Sequence, residues 1–473
     1  MIYTCTPMTS GSPISFTVAF RWVLLAYFLI RLVGISNPPL ETGHSWRQSF
    51  TLMVSRNLSE ESVNLLYPRT DAYGEGSDII ASEFPFFNFL IHMTNQAFGY
   101  AHWYGRLINL LVSSLGIYCF FLIVKSLWGD KVAFGSGVIL ISSIWFAFSR
   151  KVMPDTFSVS LAIMAIYLLL MYRDKKTAGS WLGFVILGGL AGLCKIPALI
   201  VLAPAGLVLF DSSLSARTKL NLLAAFILAL APVLFWYFYW EPQLFQISGN
   251  KLFTTYTLGQ GWEWQKELWP QTLEKFYFSA FHSFLAFAAF LAGLVLLFRF
   301  SSKLIAAIAG SSALILVVFM LKTGNIFPTH NYYIIPFVPI MALVAGFGLS
   351  KIKRQWMFHA ALLLIAIEGI ANQQHDFFIK PGEEFYLELE DVADRFSEPG
   401  DKIIIWGGQN PKALYFAHRE GWSLEPEEYQ EDYLANLRQK NAVLLFEPVQ
   451  TKVERNYPLL YQHEDYRVYR LNP

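Results

Sequence analysis

Eleven apolar runs, separated by mostly short polar links and two long ones, leave this chain little choice but a polytopic membrane protein. They lie near 16–34, 103–124, 132–149, 156–172, 180–194, 196–210, 220–240, 279–298, 304–321, 332–350 and 356–371. Crossing a bilayer takes about 20 apolar residues, and lipid offers the backbone no hydrogen bonds, so such runs are expected as helices. The stretch from Gly179 to Phe210 is too long for one helix, so Lys195-Ile196-Pro197 reads as the tip of a hairpin with two short legs. Residues 85–99 are apolar but interrupted by Asn88, His92, Asn95 and Gln96, which suits a helix lying at the interface. Asn37-Pro38-Pro39, not a small-residue cleavage site, follows the first run, which therefore reads as a retained membrane helix. Only 15% of residues are charged, well under the roughly 25% of soluble domains.

The few charges are placed with a pattern. Lys125 and Lys131, then Arg173, Lys175 and Lys176, Arg217 and Lys219, Arg299 and Lys303, and Lys351, Lys353 and Arg354 occupy every second loop. Short cytoplasmic loops collect Lys and Arg, so the amino terminus is expected inside and the carboxyl terminus outside the plasma (inner) membrane. A net charge of +1, with no basic block, gives no support for a nucleic-acid partner. Cys5, Cys119 and Cys194 are far apart and form neither a ligand spacing nor a disulfide framework.

The long outer link, residues 36–85, gathers Glu41, His44, Arg47, Asp71 and Glu83 with Trp46, Tyr67 and Tyr73. Links this long are either functional or disordered, and the aromatic and apolar content argues for order. From about Asn372 the composition becomes that of a soluble domain. A helical pattern at 383–397, a strand at 402–406, helices near 411–420 and 427–440 and a strand at 442–446 alternate as α/β units. The expected division is a membrane domain over 1–371, with an outer loop over 35–102, and a small extracytoplasmic α/β domain over 372–473. Gly407-Gly408 after the strand reads as a turn, since a lone glycine pair does not specify phosphate binding.

Charges at membrane depth are costly and point to function. On the outer side the 36–85 loop shares its face with Arg150, Asp155, Lys195, Lys322, His330 and the pair Tyr332-Tyr333. Each has a plainer alternative. Arg47 and Lys195 could be snorkelling anchors, His44 a structural hydrogen-bonding histidine, and Asp155 a cap complementing its helix dipole. A helix N-terminus in an outer cavity also attracts phosphate, and Arg150 and Lys151 would reinforce it.

The ordered series His44-Ser45-Trp46-Arg47-Gln48, Tyr67-Pro68-Arg69-Thr70-Asp71, Glu83-Phe84-Pro85, Arg106, Met153-Pro154-Asp155, Lys195-Ile196-Pro197 and His330-Asn331-Tyr332-Tyr333 resembles glycosyltransferase family 39. That family includes the protein mannosyltransferase-like and lipid A aminoarabinose transferase-like enzymes of the GT-C superfamily. The resemblance implies a GT-C-like all-α membrane domain and an inverting transfer of a sugar from a polyprenyl-phosphate donor to a lipid, glycan or protein acceptor on the outer face. Inversion needs a base for the acceptor hydroxyl and cations or a metal for the departing phosphate. Aminoarabinose-type members carry an Asp three residues before the loop Arg, and His44 holds that place here. His44 is thus the implied base, with Glu41, Asp71 and Glu83 as alternatives. Glu83 and Asp155 would orient the sugar or bind a divalent metal, the one cofactor implied. Arg47, Arg150, Lys195, His330 and Tyr332 would contact the donor. The rival reading is a transporter or flippase of a lipid-linked sugar; such proteins commonly show inverted repeats, and no repeat is evident.

Overall fold

All eleven apolar runs fall on helices in the computed structural model, which describes residues 15–73, 77–299, 303–451 and 455–471. The first half comprises α1 (Phe16–Ile30), α2 (Ser45–Glu60), α3 (Phe86–Phe98), α4 (Tyr104–Trp128), α5 (Asp130–Ser142), α6 (Trp145–Phe148), α7 (Pro154–Lys175) and α8 (Ala178–Cys194). Among the described residues, five helices are long and apolar enough to cross a membrane unaided, and a sixth if the pair Trp269–Ser279 and Phe284–Arg299, bent by 96°, is one span. The expected eleven full spans are therefore not found. Counting apolar residues cannot see where a run breaks: the 132–149 run stops at Ser142 and restarts as the four-residue α6, and 196–210 is largely 3₁₀ in character. Cys5 lies outside the described residues, and Cys119 and Cys194 are buried free thiols.

Close helix contacts in the interior rest on small residues, as expected where lipid gives no hydrophobic drive to association. A Cβ at Gly346, in the helix Val338–Ser350, would lie 2.1 Å from Ser136 Oγ and 2.5 Å from Ser136 N of α5, so the two backbones pass in near contact only because Gly346 has no side chain.

The described residues of the 36–85 segment are folded, not draped. Every residue of α2 from Arg47 to Leu58 is buried. Arg106, at the start of α4 and fully buried, donates to the carbonyls of Ile35 (3.1 Å), Asn37 (2.7 Å) and Pro38 (3.3 Å) and pairs with Glu41 at 2.5 Å. Gln48 Nε2 donates to Glu41 Oε2 at 2.7 Å while its Oε1 accepts from Val152 N at 3.1 Å, tying α2 to the 149–153 corner. α3, with 13 residues, is about 20 Å long at 1.5 Å per residue, short of a hydrocarbon core of about 30 Å. It buries Asn88, His92 and Asn95 on one face and exposes Met93 and Phe98 on another.

Beyond the last apolar helix, β1 (Lys402–Trp406), β2 (Gly421–Leu424), β3 (Ala442–Pro448), β4 (Leu459–Gln462) and β5 (Tyr466–Arg470) form one sheet in the order β2-β1-β3-β5-β4. β1 runs parallel to β2 and β3, and β5 antiparallel to β3 and β4. The strand at 402–406 and the helices Lys412–Ala417 and Glu431–Gln439 sit where the sequence places them; β2, β4 and β5 were not anticipated. Gly407 and Gly408 form a turn with φ of 137° and 56°. The sheet is fastened to the first loop: Tyr73 N donates to Gly421 O and Gly421 N to Asp71 O, both at 2.8 Å.

Candidate functional site

The first loop, the 149–155 corner, the 193–195 helix end and the 330–333 segment converge on one charged cluster. Arg47 of α2 forms an ion pair with Glu83 and lies with its guanidinium 5.0 Å from the Phe50 ring centroid. Lys195, the residue that ends α8, holds Asp155 Oδ1 at 2.6 Å, and its ammonium sits 4.8 Å from the Tyr332 ring centroid. Asp155 and Arg47 also feel each other's charge. Segment 82–84 is pinned beside Lys195 because Phe84 N donates to Leu193 O (3.1 Å) and Trp236 Nε1 to Ser82 O (2.9 Å).

Asp155 opens α7 just after Pro154, whose ring suits a first helical position. No side chain caps that helix, and Asp155 Oδ2 is buried without a hydrogen-bond partner. The carboxylate therefore faces the cluster with one oxygen on Lys195 and one open.

His44 precedes α2 in the left-handed conformation (φ 60°). Its Nε2 is 2.7 Å from Asn331 Oδ1. A carbonyl oxygen only accepts, so Nε2 carries the proton and Nδ1 is left to accept one. The ring packs between Phe148 (5.5 Å) and Tyr332 (4.9 Å), with His330 at 6.4 Å. Burial, then the neighbouring Lys151, push its pKa from 6.5 down to about 4. The imidazole is thus neutral far below the usual histidine range. Gly43 leaves room for the neighbouring ion pair: a Cβ there would fall 2.2 Å from Asp376 Oδ1, which Lys151 Nζ holds at 3.0 Å while also donating to Gly43 O at 2.7 Å.

Of the sequence-selected residues, His44, Arg47, Glu83, Asp155, Lys195, His330 and Tyr332 are brought together. Glu41 is engaged by Arg106 and Gln48. Asp71, in the loop after α2, pairs at 2.5 Å with Arg56 further along that helix, and the same arginine donates to Tyr415 O at 3.2 Å. Arg150 stacks on Phe377 (4.1 Å) with all three guanidinium nitrogens buried and unpartnered. Several organising residues escaped the sequence reading because they are amides or sit inside apolar runs. Asn109 Nδ2 donates to the carbonyls of Phe148, Lys151 and Met153, shaping the corner that presents Asp155. Gln373 Nε2 donates to the carbonyls of Ser142, Ser143 and Gly369. Glu368, in the last apolar run, accepts from Ser283 Oγ and from the backbone N–H groups of Phe284 and Leu285 at the start of the next helix.

Among the described residues, no group of three or more His, Cys, Asp or Glu side chains is placed to hold a metal. Glu83 and Asp155, the expected ligands, each already carry a cation, so as arranged they do not fit a divalent ion.

The family model described as dolichyl-phosphate-mannose-protein mannosyltransferase matches residues 82–236, a segment containing Glu83, Arg150, Asp155 and Lys195. No curated protein matches the chain by sequence. ArnT from Cupriavidus metallidurans, solved bound to undecaprenyl phosphate, superposes with a TM-score of 0.61 at 12% identity, over 96% of this chain and 98% of its own. The oligosaccharyltransferase of Archaeoglobus fulgidus, solved with zinc and sulfate, gives 0.60 at 14% identity, over 90% of this chain and 68% of its own. In complex with an inhibitory peptide and dolichol-phosphate it gives 0.52 at 13%, over 91% and 70%. The chain has the fold of the GT-C glycosyltransferases. The GT-C likeness read from the ordered motifs thus stands, and the matched segment ends at Trp236, whose indole donates into that same site wall.

Proposed function

We propose that this chain is a membrane glycosyltransferase that moves a sugar from a polyprenyl-phosphate donor to an acceptor hydroxyl on the extracytoplasmic face, with inversion. The observation that carries it is the pair of buried cation–carboxylate contacts, Arg47–Glu83 and Lys195–Asp155, meeting at one point beside a neutral histidine. Arg matches phosphate oxygens with a planar fork of donors and Lys as a point charge. Before the donor arrives, Glu83 and Asp155 hold these cations in place. On binding, the phosphate becomes a second acceptor for both, and the open Oδ2 of Asp155 is free to take a sugar hydroxyl. Solved proteins of this fold that bind undecaprenyl phosphate and dolichol-phosphate support the donor class.

His44 takes the acceptor proton at Nδ1 while Asn331 fixes the ring through Nε2. An anionic donor nearby raises an imidazole pKa, so the base strengthens only when phosphate is in place. The outer loop and the tail after Asn372 lie outside the cell membrane, with the amino terminus in the cytoplasm, following the alternation of basic loops. The reading is tested by incubating the purified protein with a panel of polyprenyl-phosphate sugars and measuring released polyprenyl phosphate. Release from one donor that ceases in Asp155→Asn is expected, and hydrolysis equal to that of protein-free vesicles for every donor would overturn it.

A further inference from the structure

An apolar cavity of about 490 Å³ lies between α4, α7, the segment Ala203–Phe210 and the helices Lys303–Thr323 and Val338–Ser350. One wall follows from local geometry. Residues 203–210 form a 3₁₀ helix, in which side chains three apart eclipse, so Pro204, Leu207 and Phe210 make one rib and Ala205 and Val208 the next, all against the cavity. Along α7 the lining runs from Ile163 to Arg173, about 15 Å at 1.5 Å per residue. That is half of a hydrocarbon core of about 30 Å. Ile163 is already about 12 Å along the helix from Asp155, so the cavity occupies the half of the membrane away from the charged cluster and opens toward the basic loops.

The charges at its open end are Arg173, Asp211 and Lys303, with Trp128 beside them. Asp211 is occupied, since its Oδ1 accepts from Ser213 N (2.9 Å) and Ser213 Oγ (2.7 Å). Arg173 gives only Nε, to Asp174 at 2.7 Å, and its side chain is 28% exposed. Lys303 makes no hydrogen bond or ion pair among the described residues. The terminal guanidinium nitrogens and the ammonium therefore remain for a ligand, and Lys175 and Lys176 follow directly in the chain. An apolar slot one leaflet deep, with cations at its aqueous end, has the shape and charge of an anionic phospholipid in reverse. Basic pockets between membrane helices on the cytoplasmic side bind such head groups, and an interfacial Trp marks the level where a head group lies. A zwitterionic lipid would leave the cations unanswered. A polyprenyl phosphate held at the charged cluster would have its phosphate at the opposite end.

We infer that this cavity is a binding site for an anionic glycerophospholipid of the cytoplasmic leaflet, with an acyl chain filling the slot and the phosphate held by Arg173 and Lys303. The site takes only the inward placing of the basic loops from the proposed topology, and sugar transfer plays no part in it. Native mass spectrometry of the full-length protein in detergent, titrated with dioleoylphosphatidylglycerol or with dioleoylphosphatidylethanolamine, tests it. A single phosphatidylglycerol should bind at least about tenfold more tightly than phosphatidylethanolamine. In the double variant Arg173→Gln, Lys303→Gln that affinity should fall about 10- to 30-fold, from loss of two cations near the head group. A similar fall is expected in Ala307→Trp, which fills the slot from an exposed position on its lining without altering a charge. Equal affinity of the parent for the two lipids, phosphatidylglycerol affinity unchanged in either folded variant, or displacement of bound phosphatidylglycerol by equimolar undecaprenyl phosphate would each overturn the assignment.

Discussion

Replacing Lys195 with Met isolates one half of the proposed phosphate clamp. Lys195 Nζ lies 2.6 Å from Asp155 Oδ1, with side chains only 14% and 4% exposed, so the ammonium is turned inward and is not reaching for an aqueous surface. A hydrogen bond involving a charged group contributes about 1.5–3 kcal/mol, and losing one to the donor phosphate weakens binding about 10- to 150-fold. The same change strands Asp155. Removing one partner of a buried pair costs about 3–5 kcal/mol of stability because the other charge is left unpaired. The two effects separate in the double variant Lys195→Met, Asp155→Asn, where stability returns because no charge is stranded while donor affinity does not. Calorimetric titration with undecaprenyl phosphate in nanodiscs reads the affinity and thermal unfolding reads the stability. Unchanged affinity in a folded Lys195→Met, or affinity restored along with stability in the double variant, would refute the assignment of Lys195 to the phosphate and return it to a structural role.

His44→Ala should lower turnover about 10²- to 10⁴-fold, the span typical of general-base catalysis, with donor affinity nearly intact. The comparison runs beside Glu41→Gln, Asp71→Asn and Glu83→Gln, and collapse of one of these with near-normal His44→Ala would move the base to that carboxylate. In the free protein His44 has a pKa lowered to about 4, so kcat/KM should stay flat as pH falls through the ordinary histidine range and drop only near that value; a drop centred near 6.5 would contradict the buried geometry. His418 is shifted the other way, to about 9, chiefly by its hydrogen bonds to Glu390 and Glu60. A raised folded pKa stabilises fully below the unfolded value and is lost as pH rises through about 9. Thermal stability should therefore decline across that window, and the decline should be smaller in His418→Gln. Single cysteines at Ser77 and Glu464, in a background without the three native ones, should label only from the extracytoplasmic side, and labelling from the cytoplasm would invert the placement of the whole site.

Much of this site was legible because membrane proteins advertise their exceptions. Arg47, Asp155 and Lys195 stand out as charges beside apolar runs, and Pro154 and Pro197 mark the corners that aim two of them inward. Glu83 was a candidate, but its pairing with Arg47 depends on Phe84 and Trp236 docking residues 82–84 beside α8, which no local pattern encodes. Asn109 and Gln373 were invisible for a similar reason. A single amide inside an apolar helix, as Asn109, or just past the end of one, as Gln373, looks the same whether it bonds within its own turn or gathers the carbonyls of a distant corner. In the tail, β1 with its continuous Ile403-Ile404-Ile405 core was plain, whereas β4 is a short, half-exposed edge strand with no alternation to read. Span lengths were overread because hydropathy integrates across breaks such as Ser143 and the bend between Ser279 and Phe284.

The central claim is bond cleavage at the donor, and the measurement that reaches it most directly follows a doubly labelled polyprenyl-phosphate sugar in proteoliposomes containing the protein and an acceptor extract. The account predicts that sugar and lipid labels part, with free polyprenyl phosphate accumulating in step with glycosylated acceptor, and that Asp155→Asn abolishes both. Movement of the intact donor between leaflets, with the two labels remaining joined, would contradict it and identify the chain as a carrier.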